Sequence, residues 1–224
     1  MDERVLKLLI DSIDNLVIPG IAYTLPMTIV SFILAMLIAI VVALVQYANI
    51  KVLKQIARFY IWVIRGTPLI VQLFVFFYGL PDLGIIMQPL PCAILVLGIN
   101  SGAYCAETMR AALESVPEGQ LEAGYCVGMS YLQIIWRIVL PQALRTAFPP
   151  LSNSLISLSK DTALAASITV VEMFMEAQRI VARTYEALWI YLELAVVYLI
   201  ISTFLTWLQR LGEKKLNMVY TNQK

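Results

Sequence analysis

The chain alternates between long stretches without ionisable side chains and shorter segments that carry charge. Residues 15–50 and 83–106 contain no Asp, Glu, Lys or Arg. A helix of about 20 apolar residues crosses a bilayer core of about 30 Å, so each stretch is long enough to span a membrane. The same pattern, followed along the chain, predicts five spans at about residues 20–47, 66–80, 89–108, 147–170 and 187–208.

The segment before the first span predicts a short helix at the membrane surface, or a solvated tail. Over residues 2–14, Leu6, Leu9 and Ile13 fall on one face of a helix, which is typical of interfacial helices. The mixed charge of the first residues and the long apolar stretch after them are unlike a cleavable signal peptide, so we expect the first span to be retained. Three helix-breaking residues predict an interrupted turn at its start, namely Pro19, Gly20 and Pro26.

Residues 51–65 predict a helix that lies along the membrane surface. Basic side chains recur among apolar ones in this segment, at Lys51, Lys54, Arg58 and Arg65. The second span follows, with Pro68 in the first helical turn, where proline is tolerated. Residues 79–82 predict the turn that ends this span.

Composition narrows the class of protein. Apolar residues make up 60% of the chain and charged residues 14%, whereas soluble domains carry about 25% charged residues. The net charge of +1 gives no indication of a nucleic-acid partner. His is absent, and Cys92, Cys105 and Cys126 show no CxxC spacing, so we expect small buried side chains and no disulfide framework or metal site.

The distribution of basic residues predicts the orientation, because Lys and Arg accumulate on the cytoplasmic side of membrane proteins. With the N-terminus outside, the external segments hold only Arg4, Lys7, Arg179 and Arg183. The cytoplasmic segments then hold Lys51, Lys54, Arg58, Arg65, Arg110, Arg137, Arg145, Arg210, Lys214, Lys215 and Lys224. This bias places the C-terminus and the polar segment 110–146 in the cytosol.

The polar segment 110–146 contains residues at regular offsets. Its pattern is Glu122-Ala123-Gly124, three residues, Gly128, nine residues, and then Ile138-Val139-Leu140-Pro141. A glutamate near a helix start is stabilised by the helix dipole, Gly128 permits a tight turn, and Pro141 is expected to end the element. An ordinary helix–turn–helix loop is the alternative interpretation.

This pattern resembles the signature loop of importer permeases of the ATP-binding-cassette (ABC) superfamily, with Gly124 in place of the usual Ala. Residues 65–74, 100–112, 150–154 and 159–166 resemble the polar amino-acid branch of these permeases, and most closely the L-cystine importers. Within the loop, the resemblance implies coupling to an ATPase by Glu122, Ala123, Gly124, Gly128, Ile138, Leu140 and Pro141.

The resemblance also implies the architecture and the partners. It implies one all-α integral-membrane domain over residues 1–224, similar to type I ABC importer permeases, with five transmembrane helices and a cytoplasmic coupling helix between the third and fourth. The expected partners are an ABC ATPase subunit, a second permease copy or a paralogue, an extracytoplasmic substrate-binding protein and membrane lipid. The location implied is the bacterial inner membrane.

Polar groups inside the predicted spans are candidate ligands for the solute, because such groups are costly in lipid and usually face a cavity or a partner. The candidates are Gln72, Asn100, Tyr104, Lys160 and Asp161. For Lys160 and Asp161, a structural tie to Glu107 or Arg65 is an equal alternative. Polar residues also hold helices together in membranes, so that role stays open for the others.

Three functions compete at this stage. The chain has no G-x-x-x-x-G-K-[ST] loop, so a permease would need no cofactor of its own and would rely on a partner subunit to bind ATP. A secondary transporter or channel for small polar solutes is the main alternative, although no internal repeat supports it. A membrane enzyme is the weakest hypothesis, because no catalytic set of side chains is recognisable.

Overall fold

A computed structural model describes residues 3–47 and 51–221, and the side chains of the last helix as far as Leu216. The α-helices are α1 (Glu3–Pro19), α2 (Leu25–Tyr47), α3 (Lys51–Gly66), α4 (Leu69–Phe74), α5 (Pro89–Glu114), α6 (Glu118–Cys126), α7 (Tyr131–Ile134), α8 (Leu140–Asp161), α9 (Met173–Thr184) and α10 (Ala187–Thr221). Three segments are π-helical, Gly20–Thr24, Val75–Gly79 and Ile135–Val139, and two are 3₁₀-helical, Leu80–Leu83 and Thr162–Ile168. No strand occurs in the part of the chain that the structure describes.

Within the described residues, three helical stretches are long and apolar enough to cross a membrane: Glu3–Tyr47, Pro89–Glu114 and Ala187–Leu216. Two bent pairs can each make one more crossing. Lys51–Gly66 and Leu69–Leu83 meet at 105°, and Tyr131–Ile168 and Met173–Thr184 meet at 54°. The five predicted spans therefore equal the largest number that these helices allow, and their exact boundaries stay predictions. Lys224, used in the orientation argument, lies outside the described residues.

The predicted interruption at the start of the first span is wrong. The helix continues from α1 into α2 through the π segment Gly20–Thr24, and the Leu25 N–H donates to Gly20 O, five residues earlier. A π turn widens the helix just before Pro26, whose ring would otherwise clash with the preceding turn. At this place the proline and glycine residues change the helical hydrogen bonds locally from the α to the π pattern, and the helix continues.

The predicted N-terminal helix is present as α1, and it packs against the rest of the chain through a different face from the apolar one predicted for the membrane surface, whose contact with lipid stays a prediction. In α1 the buried residues are Val5, Ser12 and Leu16, whereas Leu6 and Ile13 are exposed. The buried face packs against α9 and α10. Ser12 Oγ donates a hydrogen bond of 2.6 Å to Glu193 on α10, so tertiary contacts fix the orientation of this helix.

The main helix pair of the core is α2 and α5, which approach closely because small residues line their contact. Ala35, Ala39 and Ala43 repeat every four residues along α2 and are buried. On α5, a Cβ atom at Gly98 would lie 2.6 Å from the Leu34 side chain. Small residues let membrane helices pack backbone to backbone, and this pair supports the elements that line the site.

The predicted end of an element at Pro141 is wrong for the same reason as at Pro26. The π segment Ile135–Val139 connects α7 to α8 without a break, and the Leu140 N–H donates to Ile135 O. Gln142 Nε2 donates to Ile138 O at 2.9 Å, which satisfies a carbonyl at this irregular turn. The predicted polar loop 110–146 is correspondingly shorter, since α5 extends to Glu114 and α8 begins at Leu140.

Candidate solute cavity and coupling segment

A polar cavity of about 710 Å³ lies among the α3–α4 bend, α5 and α8. The residues that line it are Arg65, Gly66, Thr67, Pro68, Leu69, Asn100, Ser101, Tyr104, Pro150, Asn153, Ser154, Ser157, Asp161 and Leu164. Pro68 forms the bend, because its extended backbone (φ −62°, ψ 138°) ends α3 and starts α4. Sequence-distant segments thus meet around one space of small-molecule size.

The cavity lining contains one positive and one negative side chain. The Arg65 guanidinium lies over the Tyr104 ring, 5.2 Å from its centroid, a cation–π geometry that holds the cation at the cavity. Asp161, at the end of α8, is half-buried in the same lining. The lining therefore offers a cation and an anion to a solute that carries both charges.

The predicted candidates Gln72 and Asn100 form a structural pair. Asn100 Nδ2 donates to Gln72 Oε1 at 3.0 Å. The Gln72 amide also donates to Ile64 O, to Thr67 O and to Thr67 Oγ1, which ties α4 to the end of α3. Asn100 lines the cavity and Gln72 does not. Direct contact between Gln72 and the solute stays a prediction. The hydrogen bonds of Gln72 favour a different role, in which it holds the α3–α4 bend and the Asn100 side chain in position.

The candidates Lys160 and Asp161 point in different directions, as neighbours on a helix do. Asp161 lines the cavity, whereas Lys160 is exposed and is absent from the lining. The alternative structural tie is not seen, because within the described residues no ion pair joins Lys160 to Glu107 or Asp161 to Arg65. A solute contact by Lys160 stays a prediction.

Sequence reasoning missed part of this site. Asn153, Ser154 and Ser157 of α8 line the cavity, and they were not among the candidates. Their spacing toward Asp161 is three or four residues, the repeat of one helix face, so that repeat was the available signal. Arg65 was not among the candidates either, because the bend at Pro68 that brings it over Tyr104 is not visible in the sequence.

The coupling segment, defined as residues 118–141, folds as α6, a turn, α7 and the start of α8. Gly124 is buried in α6, and a Cβ atom there would lie 2.7 Å from Ile134 Cγ1 and 3.4 Å from Ile138 Cδ1. Gly124 stands where the family usually has Ala, and the close approach of Ile134 leaves little room for the Ala side chain. Glu122 and Ala123 on the same helix are exposed.

The turn of the coupling segment is fixed by two local features. Gly128 adopts a left-handed backbone with φ +78°, a conformation that glycine adopts without strain. Ser130 then begins α7 with a capping box, in which Gln133 N donates to Ser130 Oγ and Ser130 N donates to Gln133 Oε1. These features hold α6 against the helix that leads into α8.

Large apolar side chains on the coupling segment remain exposed. They are Tyr125, Val127, Tyr131, Leu132 and Trp136, each between 46% and 75% exposed. Contiguous exposed apolar residues on a protein surface mark interaction sites. This apolar patch lies beside the exposed Glu122 and Ala123.

The fold is that of a helical protein with apolar helices long enough to cross a membrane, a cavity with polar lining residues and a separate exposed apolar patch, and these features are compatible with a transport permease. The profile of the family described as binding-protein-dependent transport system inner membrane component matches residues 32–218. The chain belongs to this family of ABC importer permeases. Membership excludes the secondary-transporter and enzyme hypotheses, since ATP is hydrolysed by a separate subunit in these systems.

Two curated relatives come from Bacillus subtilis. The L-cystine transport system permease protein TcyB is 45% identical over 199 residues, which cover 88% of this chain and 85% of the relative. The L-cystine transport system permease protein TcyL is 39% identical over 210 residues, which cover 89% and 88%. The predicted resemblance to amino-acid permeases of ABC importers is confirmed.

Solved structures confirm the predicted fold class. An amino acid ABC transporter crystallised with histidines matches with a TM-score of 0.82 and 31% identity, over 95% of each chain. The MetNI methionine ABC transporter, in inward-facing conformations, matches with a TM-score of 0.73 and 20% identity, over 96% of this chain and 99% of that one. The all-helical architecture is therefore that of type I ABC importer permeases.

Proposed function

We propose that this chain is the permease subunit of an importer for a zwitterionic polar amino acid, with L-cystine as the substrate. The observation that carries the proposal is the charge balance of the cavity, where Arg65 and Asp161 supply one charge of each sign. A solute with a carboxylate and an ammonium group but no net charge matches this lining. The two L-cystine permeases among the relatives support the choice.

The cavity chemistry separates this substrate from cationic amino acids. Arginine carries a net positive charge, and the described lining, whose charged residues are Arg65 and Asp161, has no further carboxylate to balance it. L-cystine has two zwitterionic ends and no net charge, and one of these ends matches the Arg65 and Asp161 pair. Hydroxyl and amide groups at Ser154, Ser157 and Asn153 provide neutral hydrogen-bond partners for the solute. The lining thus favours polar zwitterions over arginine-like solutes.

The coupling segment supports the second half of the proposal. The apolar patch beside Glu122 and Ala123 provides a contact surface for an ABC ATPase on the cytoplasmic side. ATP binding by that partner would move the coupling segment, and α8 would carry the movement to the cavity. A second permease copy or paralogue completes the translocation path, and a substrate-binding protein delivers the solute from outside.

Substrate identity is tested by competition. The complete transporter, reconstituted with its binding protein and ATP, takes up labelled L-cystine while unlabelled L-cystine, L-arginine or L-glutamine is added in excess. We expect L-cystine to compete best. Clear competition by arginine or glutamine, with no effect of cystine, would refute the substrate assignment.

Orientation and docking are tested with a cysteine already present. Cys126 is exposed on α6, whereas Cys92 and Cys105 are buried. A membrane-impermeant thiol reagent should label inside-out vesicles of the permease expressed alone, and the ATPase subunit should protect against it. The Cys126→Ser variant is the matched control. Labelling from the external side, or no protection by the ATPase, would contradict the proposed topology or docking.

A further inference from the structure

A second cavity, of about 320 Å³, lies between the ends of α2 and α5 and the middle of α3. Its lining residues are Gln46, Arg58, Ile61, Trp62, Glu107 and Arg110. None of them lines the solute cavity. The transport mechanism proposed above gives this second cavity no role.

The second cavity carries an excess of positive charge. Arg58 and Arg110 contribute two guanidinium groups, and Glu107 contributes one carboxylate. Glu107 is already bonded to Arg110. Arg58 makes no hydrogen bond or ion pair within residues 3–47 and 51–216. The lining therefore presents an uncompensated cation to whatever occupies the space.

A buried amide provides a further donor. Gln46 is 7% exposed, and its Nε2 atom has no hydrogen-bond partner among the described residues. A buried N–H without a partner destabilises a folded protein. An acceptor that enters the cavity would give this N–H a hydrogen-bond partner and remove that cost. Arg110 is already paired with both Glu107 and Glu114, so the Arg58 guanidinium and this amide are the donors that match the oxygens of a phosphate group.

The position in the membrane indicates which anion is available. Gln46 and Arg110 lie near the ends of α2 and α5 that lead into the cytoplasmic segments under the proposed orientation. Phe59 and Trp62 of α3 are 64% and 71% exposed beside the cavity. Exposed aromatic side chains and basic pockets occur together at the headgroup level of the cytoplasmic leaflet.

We propose that the second cavity binds the phosphate of an anionic phospholipid headgroup from the cytoplasmic leaflet. Arg58 and the Gln46 amide hold the phosphate, while Arg110 of the same lining stays paired with Glu107 and Glu114. A volume of about 320 Å³ accommodates a headgroup, while the acyl chains lie outside along Phe59 and Trp62. The inference uses the proposed orientation and is independent of the substrate.

Lipid retention by the purified transporter tests the proposal. Native mass spectrometry counts the lipids that remain on the complete complex after exposure to phosphatidylglycerol, to zwitterionic phosphatidylcholine, or to phosphatidylglycerol with excess inorganic phosphate. We expect phosphatidylglycerol to be retained over phosphatidylcholine, and inorganic phosphate not to displace it. A charge-assisted hydrogen bond to the phosphate contributes about tenfold or more in binding, so Arg58→Gln should lower retention by at least about that factor.

Two variants separate a site from diffuse attraction. Lys51→Gln removes a charge from the same helix, at an exposed residue outside the cavity lining, and should leave retention unchanged. Arg58→Lys should preserve most of it. Substrate-stimulated ATPase activity of Arg58→Gln shows that the variant is folded, and it distinguishes failure of the site from failure of the transporter.

Several outcomes would overturn the proposal. Equal losses in Arg58→Gln and Lys51→Gln would indicate diffuse attraction. Equal retention of phosphatidylcholine would remove the role of net charge. Displacement by inorganic phosphate would assign the cavity to a free anion instead of a lipid.

Discussion

The contact between Gly124 and Ile134 gives a sharp prediction, because the change that restores the usual family residue should harm this protein. Gly124→Ala places a Cβ atom 2.7 Å from Ile134 Cγ1 and 2.9 Å from its Cδ1. Ile134 is fully buried, so it has little room to move. Overpacking of this kind costs about 1–3 kcal/mol.

Helix propensity acts in the opposite direction. Replacing glycine by alanine within a helix gains about 1 kcal/mol, so the net effect of Gly124→Ala is a destabilisation of roughly 0–2 kcal/mol. For a chain of this size, each kcal/mol lowers the melting temperature by about 2–4 °C. We expect a lower apparent melting temperature of the complex and weaker coupling between ATP hydrolysis and uptake.

The control lies on the same helix. Gly119 has nothing within 4 Å of the position that a Cβ atom would take, so Gly119→Ala should be neutral or slightly stabilising. Ile134→Ala alone should cost about 2–5 kcal/mol through the cavity it leaves, but less when combined with Gly124→Ala. Thermal denaturation and the ATP-to-substrate ratio are the measurements. If Gly124→Ala behaves like Gly119→Ala, the packing argument is refuted.

Three further changes test the solute cavity. Asp161→Asn should raise the half-saturation concentration for L-cystine uptake about tenfold or more, because a charge-assisted hydrogen bond is worth about 1.5–3 kcal/mol. Lys160→Gln should change it less. Equal effects of the two variants in uptake assays would contradict a solute contact by Asp161. Arg65→Gln should weaken uptake more than Tyr104→Phe, which keeps an aromatic ring beneath the cation, and a reversed order would show that the ring hydroxyl matters more. Gln72→Leu should lower thermal stability because it breaks the bonds across the α3–α4 bend, and unchanged stability with lost uptake would instead favour direct solute contact.

The sequence predicted the helical class and a count of five spans, which is the largest number that the described helices allow, because long uncharged stretches are local signals. The predictions at Pro26 and Pro141 failed for one physical reason. In both places a π turn ends two residues before a proline, which accommodates its ring without ending the helix. Nothing in a single proline distinguishes this case from a true helix end.

Prediction of the cavity was limited by tertiary structure. Asn100, Tyr104 and Asp161 were identified because polar groups in apolar spans are conspicuous. Gln72 is equally conspicuous, yet its amide is used within the α3–α4 bend. Burial and partner choice depend on how segments far apart in the chain approach each other, and a sequence pattern carries no such distance.

The unbroken helical body from Tyr131 to Asp161 has a mechanical consequence. At 1.5 Å per residue it is a rod of about 45 Å, with Trp136 near one end and Asp161 at the other. Under the proposed orientation and docking, a displacement of its cytosolic end would tilt the rod as a whole, since no loop interrupts it. The widened turn at Ile135–Val139 and the prolines Pro149 and Pro150 within α8 are the places where the rod can bend.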